Sequence, residues 1–149
     1  NNYSFKHFQG LDMVYDEQNI FARIIRNELP AIKVYEDDQV LAFMDIMPQA
    51  EGHTLVIPKT PALTLLDLPP QAAAYTIQIV QKIAQAMEKA LEVKGIVLMQ
   101  LSGAAAGQTV PHVHFHLIPS SVHELGKHAL QMGDQEKIKA LAEKIKAAL

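Results

Sequence analysis

The sequence predicts an α+β protein with an antiparallel sheet, and the order of its elements is the main reason. A short helix is followed by three strand-like segments, a long helix, two more strand-like segments and a final helix. Because the strands come in adjacent groups rather than alternating singly with helices, we expect an antiparallel sheet with the helices on one side. The length of 149 residues agrees with one domain of this class.

Three segments have the apolar period of a helix. The first covers residues 20–27 behind a candidate N-cap, Asn19. The second covers residues 70–92, where apolar residues recur at steps of three and four: Ile77, Val80, Ala84, Met87 and Leu91. The third begins near residue 135 and runs to 149, with Asp134 as its candidate N-cap and one apolar face: Ile138, Leu141, Ala142, Ile145 and Leu149.

Five short segments have the character of strands, since they are apolar and are bounded by Gly, Pro or Asp. They are residues 33–35, 40–44, 53–57, 96–101 and 112–118. The helix over 70–92 and the strand over 96–101 carry more apolar surface than one small sheet needs. We therefore expect them near a two-fold interface between two copies of the chain.

The composition excludes several classes of protein. Thirteen Lys+Arg against sixteen Asp+Glu give a net charge of −3, so a strongly basic nucleic-acid-binding module is not expected. There is no cysteine, which excludes disulfides, thiolate metal sites and cysteine nucleophiles. No apolar run approaches the ~18 residues of a membrane span. Residues 1–12 lack a signal pattern and are predicted to be a flexible extension before a domain over 13–149; we expect a cytoplasmic location.

The last predicted strand carries three of the seven histidines, His112, His114 and His116. Side chains alternate along a strand, so the three imidazoles share one face and the apolar residues between them enter the core. Adjacent imidazoles disfavour one another's charge, so we expect them to be mostly neutral near pH 7. A neutral imidazole has a free lone pair that can bind a metal or attack an electrophile.

Three interpretations of this cluster remain open. It can be an exposed strand with a chance run of histidine, or a zinc site whose third ligand is His116 or His53. It can also be a nucleophilic site for phosphoryl or nucleotidyl transfer. The preceding loop, residues 103–109, favours the last interpretation because it is small, uncharged and contains two glycines. Backbone N–H groups in such a loop can approach an anion closely.

The sequence resembles the histidine triad (HIT) superfamily, in its Hint-like branch of nucleotide-binding hydrolases. The family pattern, His-x-His-x-His followed by two apolar residues, is matched by residues 112–118. Further segments match in the family's order: residues 20–26, 38–50, 53–59 and 106–110. The resemblance covers residues 16–119 and implies a HIT-like fold with a five-stranded antiparallel sheet, a long helix and terminal helices, in a homodimer.

The resemblance implies an enzyme that acts at the α-phosphate of purine nucleoside phosphoramidates or related nucleotides. The nucleophile would be His114, and the route would pass through a nucleotidyl-histidine intermediate that water hydrolyses. The backbone of His112 would orient His114, while His116 and Gln108 would contact the α-phosphate. His53 matches a fourth histidine that supports the triad.

The resemblance also assigns the nucleotide-binding residues. Asp45 would bind the ribose hydroxyls, and Thr109 would lie near the leaving group. Gly107 and Val110 belong to the matching loop. The wall of the base pocket would be formed by Ile20, Phe21, Ile24, Phe43 and Ile46.

One position departs from the family pattern. Many relatives carry Asn or Gln seven residues before the loop glutamine, whereas this chain has Leu101, which cannot donate a hydrogen bond. We expect Ser102, in preference to Gln100, to take over that donor.

The resemblance implies no required cofactor, although three imidazoles could pick up zinc adventitiously. The alternatives are dinucleoside polyphosphate hydrolysis, a nucleotide-binding module with incidental catalysis, and a zinc-dependent hydrolase outside the family. The expected partners are a purine nucleotide and a second copy of the chain, without membranes or nucleic acids. We expect His123 and His128 to be solvated.

Overall fold

A computed structural model describes residues 14–125 and 132–149, and it has the predicted α+β architecture. The predicted extension over residues 1–12 and the predicted solvation of His128 lie outside the described residues. The helices are α1 (Ile20–Ile25), α2 (Pro70–Leu91) and α3 (Gln135–Ala148). The strands are β1 (Lys33–Glu36), β2 (Val40–Met44), β3 (Thr54–Pro58), β4 (Val97–Gln100) and β5 (Phe115–Ile118). They form one five-stranded antiparallel sheet, as the resemblance implied, and the strands follow the order β1-β2-β3-β5-β4.

The helix ends agree with the capping residues in the sequence. The side chain of Asn19 accepts a hydrogen bond from the Ala22 N–H, and that of Asp134 accepts from the first turn of α3. The helix α1 ends at Ile25, two residues before the predicted end, and Asn27 follows with a φ of +61°. A residue in the left-handed region cannot continue a right-handed helix, so α1 stays short.

The sheet is covered on both faces, and the expectation of helices on one side is wrong for α1. The main core, formed with α2 and α3, includes Val40, Ala42 and Met44 of β2. On the opposite face, Phe21 and Ile24 of α1 pack against residues that alternate with these along β2 and β3: Leu41, Phe43, Leu55 and Ile57. Every residue of β2 and β3 is buried, so both faces of these strands need a cover.

The buried stripe of α2 differs from the predicted one. Ile77 is 44% exposed, while the buried residues of the helix are Thr76, Ile79, Val80, Ile83, Ala86 and Met87. Val80 and Met87 belong to both stripes. Alanine and isoleucine occur around much of this helix, so two neighbouring stripes satisfy the same steps of three and four.

The histidine segment is only partly a strand, because β5 begins at Phe115 rather than at His112. The residues before it are held by a hydrogen bond from the Val113 N–H to the Ala62 carbonyl. The predicted placement of the apolar residues is confirmed, since Val113, Phe115 and Leu117 all enter the main core. Within residues 14–125 and 132–149, no helix has the length and apolar character needed to cross a bilayer.

Candidate active site

A cavity of about 510 Å³ opens on the face of the sheet that α1 covers, and we call it the α1-face cavity. It is lined by most of the residues predicted to bind or react: Ile20, Phe21, Ile24, Phe43, Asp45, Ile46, His53, Gly107, Thr109, Val110, His114 and His116. The sequence analysis did not assign several others to it: Pro30, Ala31, Met44, Met47, Gln49, Leu55, Met99 and Leu101. Of the predicted site residues, His112, Gln108 and Ser102 do not line it.

His114 is held by the main chain in the form a nucleophile requires. Its Nδ1 lies 2.7 Å from the carbonyl oxygen of His112. A carbonyl oxygen only accepts, so Nδ1 carries the proton and the lone pair of Nε2 is free. Burial lowers the pKa of His114, and the ring is therefore neutral at pH 7. The rings of His114 and Phe21 make an edge-to-face contact, with 4.9 Å between their centroids. This contact packs His114 against the cavity wall formed by α1.

His112 is fixed at both of its ring nitrogens. Nε2 donates to the Pro58 carbonyl at 2.8 Å, so Nδ1 carries no proton in the neutral ring and accepts from the hydroxyl of Tyr15. Burial lowers the pKa of His112 to about 4. The ring therefore anchors the backbone carbonyl that orients His114. The sequence analysis missed Tyr15, which lies 97 residues away along the chain and belongs to no recognisable motif.

A second pair of imidazoles is ordered by another main-chain group. The backbone N–H of Gln49 donates to Nδ1 of His53 at 3.0 Å, which places the proton of His53 on Nε2. That nitrogen lies 3.0 Å from Nδ1 of His116, which must accept. His116 consequently keeps its own proton on Nε2. Burial, followed by the neighbouring imidazoles, lowers the pKa of His53 to about 4 and that of His116 to about 3.

Asp45 follows β2 and supplies the acidic group of the cavity. Its Oδ1 accepts from the Met47 N–H at 2.8 Å, and its Oδ2 lies 3.5 Å from Nε2 of His53. Burial raises the pKa of this carboxyl group to about 6. Among the described residues, the lining contains no other carboxylate and no lysine or arginine. The cavity therefore offers hydrogen-bonding groups and apolar surface rather than a cationic site.

Gln108 braces the loop before the histidines instead of facing the cavity. Its Nε2 donates to the carbonyl oxygens of Leu63 at 2.7 Å and Val110 at 2.9 Å, and its Oε1 accepts from the Gly103 N–H at 2.8 Å. The side chain is 2% exposed. Both amide protons are thus in use, so contact with an α-phosphate, as expected from the sequence, would require one of these hydrogen bonds to break.

Ser102 does not supply the expected replacement for the missing donor at Leu101. Its hydroxyl donates to Oε1 of Gln100 at 2.8 Å, and Nε2 of Gln100 donates to the Leu101 carbonyl. These local bonds turn both polar side chains away from the cavity, whereas Leu101 lines it. Gly107 has a φ of +106°, and a Cβ there would lie 3.4 Å from Cδ1 of Leu101. Leucine therefore packs directly against the loop.

Three residues of the site also have the arrangement of a metal-ligand set. Asp45, His53 and His116 each offer one ligand atom, and these atoms lie within 4.8 Å of one another. Two imidazoles and a carboxylate suit zinc. However, the Gln49 N–H places the proton of His53 on the nitrogen that faces the other two ligands. A metal would have to displace that proton, so the set fits occasional zinc better than a resident ion.

Comparisons with known proteins give consistent results. A family model described as HIT domain matches residues 26–123. A Hit-like protein involved in cell-cycle regulation from Bartonella henselae is 51% identical, with a TM-score of 0.82, over 91% of this chain and 100% of that chain. A Zn-bound histidine triad family protein from Mycobacterium smegmatis is 35% identical, with a TM-score of 0.76, over 88% of this chain and 92% of that one. The adenosine 5′-monophosphoramidase of Schizosaccharomyces pombe is 36% identical over 136 residues, which are 87% of this chain and 97% of the relative.

Proposed function

The chain belongs to the HIT domain family, and from this premise we propose that it hydrolyses purine nucleoside phosphoramidates with His114 as the nucleophile. The observation that carries the proposal is the hydrogen bond from Nδ1 of His114 to the His112 carbonyl, which leaves Nε2 free at a cavity. The relative from Schizosaccharomyces pombe, an adenosine 5′-monophosphoramidase, supports the choice of substrate.

The proposed reaction has two displacements at phosphorus. Nε2 of His114 forms a bond to the α-phosphorus while the bond from phosphorus to the amine nitrogen breaks, and the amine leaves with one proton taken up from solvent water. The His112 carbonyl stabilises the positive charge that develops on the His114 ring. A water molecule then forms a bond to the phosphorus while the bond between phosphorus and Nε2 breaks, which releases the nucleoside monophosphate, returns one proton to the solvent and restores the neutral imidazole.

The other groups of the cavity have separate roles in this proposal. His116 keeps an N–H on Nε2 that can donate to a phosphate oxygen. The carboxyl group of Asp45 can accept from the ribose hydroxyls, since it lies beside the apolar residues that would hold the base. The loop at Gly107 and Thr109 would complete the phosphate site. No metal takes part in these steps, and zinc at Asp45, His53 and His116 would act as an inhibitor.

We further propose that the enzyme is a homodimer. The proposal is supported by β4, which lies at the edge of the sheet and pairs with β5 alone in the part of the chain that the structure describes. Leu98 of β4 is 48% exposed, and the exposed Ile77 belongs to α2. An open edge with exposed apolar side chains is a surface that proteins commonly cover.

The experiment that tests the proposed function is an assay of adenosine 5′-phosphoramidate hydrolysis with and without a chelator. We expect chelator-resistant release of AMP by the wild type and a loss of at least about 1,000-fold in His114→Asn. His123→Asn is the matched control, because that histidine is exposed and does not line the cavity.

The alternative functions give different results in this assay. Activity that the chelator abolishes would indicate a zinc-dependent hydrolase. Binding of AMP without turnover would indicate a nucleotide-binding module. Faster hydrolysis of diadenosine tetraphosphate than of the phosphoramidate would move the protein to dinucleoside polyphosphate hydrolysis.

A further inference from the structure

We propose that the β4 side of the α1-face cavity is a leaving-group site for an uncharged, apolar amine substituent, with Met99 and Leu101 as the residues that select it. The inference rests on the proposed function, because a leaving amine exists only if phosphoramidates are the substrates. It concerns which phosphoramidates are preferred.

The register of the sheet divides the cavity into two ends. Phe43 pairs with Leu55, Leu55 pairs with His116, and His116 pairs with Met99. Paired residues on adjacent strands point to the same face, so these four side chains form one row across the sheet. His116 therefore separates an end at β2 and α1 from an end at β4. Leu101 follows Met99 by two residues and lines the same cavity.

The two ends of the cavity are proposed to hold different parts of the substrate. The end at β2 and α1 contains Phe21, Ile24 and Phe43, which the proposed function assigns to the purine base. With the nucleoside at that end and the α-phosphate at the imidazoles, the remaining substituent of the phosphorus has the β4 end left to occupy. The chemical character of that end then decides which leaving groups are accepted.

The β4 end is apolar, and among residues 14–125 and 132–149 no lysine or arginine lines it. Its side chains are those of Met99 and Leu101, and the backbone of Gly107 lies against Leu101. The nearby polar side chains are already engaged elsewhere, since Ser102 bonds to Gln100 and Gln108 bonds only to the backbone. An anionic leaving group would lose its hydration there without a counter-charge, which is costly. An alkyl group would instead gain from leaving water.

The test compares two substrates of similar length on the wild-type protein. One is the adenosine 5′-phosphoramidate of n-butylamine and the other is that of β-alanine, whose carboxylate occupies the end of the chain. Unsubstituted adenosine 5′-phosphoramidate is the reference substrate. We expect kcat/KM to be at least about tenfold higher for the butyl compound than for the β-alanine compound.

Charge substitutions then identify the residues responsible. Leu101→Lys should change the ratio of the two kcat/KM values by at least about tenfold in favour of the β-alanine compound, and Met99→Lys should change it in the same direction. The control is Leu66→Lys, since Leu66 is 86% exposed and outside the cavity, and there the ratio should stay at its wild-type value. Thermal melts establish that each variant is folded.

The possible outcomes test the leaving-group site separately from the proposed function. If the unsubstituted phosphoramidate is hydrolysed but the butyl and β-alanine compounds react equally well, the leaving-group site is refuted and the proposed function stands. If no phosphoramidate is hydrolysed, the proposed function fails and this inference fails with it. If the variants do not fold, the wild-type ratio alone decides.

Discussion

Single residues of the site are held mainly by backbone groups rather than by charged side chains. The carbonyl oxygens of His112 and Pro58 and the N–H of Gln49 each fix one imidazole. Because these groups cannot change protonation state, they determine which ring nitrogens carry protons. The nucleophile of the proposed reaction is therefore prepared by the path of the main chain.

Tyr15 is the side chain whose contribution can be isolated most directly. Tyr15→Phe removes the hydroxyl that donates to Nδ1 of His112 and leaves a buried acceptor without a partner. We expect the free energy of unfolding to fall by about 1–3 kcal/mol and kcat to fall more than KM changes, because His112 also positions His114. Denaturant titration and steady-state kinetics measure the two effects.

A matched control for this variant is Tyr75→Phe, which removes a tyrosine hydroxyl bonded to Asp37, away from the cavity. It should lower stability without lowering kcat. Equal kcat values for the two variants would show that Tyr15 contributes to stability alone.

For single residues, the sequence predicts which histidines come together better than it predicts the hydrogen bonds of the side chains around them. Strand alternation was enough to separate His112, His114 and His116 from the core residues between them. The inward direction of Gln108 could not be predicted, because it depends on carbonyl groups of Leu63 and Val110 that only the folded loops bring near it. Side-chain hydrogen bonds between distant segments leave no periodic pattern in a sequence.

Among the elements, α3 is an integral part of the main core. Ile138, Ala142 and Ile145 are buried there with residues of α2 and the sheet. The backbone N–H of Gly133, just before α3, donates to the carbonyl of Ile46, a residue of the cavity lining. The C-terminal helix thus supports the loop after β2 as well as the core.

The variant Ile145→Ala tests that role, since Ile145 is fully buried. We expect it to lower the free energy of unfolding by about 2–5 kcal/mol, because it removes apolar contacts and leaves a cavity. Lys144→Ala, one residue earlier and exposed, should change stability by less than about 0.5 kcal/mol. Urea titration provides both values, and equal effects would show that α3 packs loosely.

The sequence predicts the elements themselves well and their faces less well. The bounds of α2 and α3 are predicted to within a residue, since periodicity and N-caps are local signals. The position of α1 on the opposite face of the sheet is a tertiary property. The continuous apolar runs of β2 and β3 do indicate strands buried on both faces, and that signal could have corrected the expectation.

For the whole molecule, buried neutral histidines make stability depend on pH. In the unfolded chain they titrate near 6.5, whereas the folded-state pKa values are about 4 for His53 and His112 and about 3 for His116. Between these values the unfolded state binds more protons, so stability falls as the pH falls from about 6.5 towards 4. Asp45, with its pKa raised to about 6, opposes this trend as a single group.

Thermal melts at pH 7, 6 and 5 measure the net effect, and we expect Tm to decrease along that series. His53→Gln removes one of the titrating groups and should give a shallower decrease. A Tm that rises towards pH 5 would contradict the neutral state of the cluster.

The proposed dimer is also a property of the whole molecule. Sedimentation at micromolar concentration should give twice the monomer mass of 16.5 kDa. Leu98→Lys introduces a charge at the open edge of β4 and should shift the equilibrium to monomers. A monomeric wild type would contradict the proposal.

The hydrogen bonds of the imidazoles give the nucleophile a spectroscopic label. His53, His112 and His116 carry their protons on Nε2, whereas His114 carries its proton on Nδ1. Long-range nitrogen–proton NMR correlations distinguish these two tautomers. At neutral pH, one of the four signals should therefore show the opposite pattern to the rest, so that the reactive histidine can be recognised in the resting protein before any substrate is added.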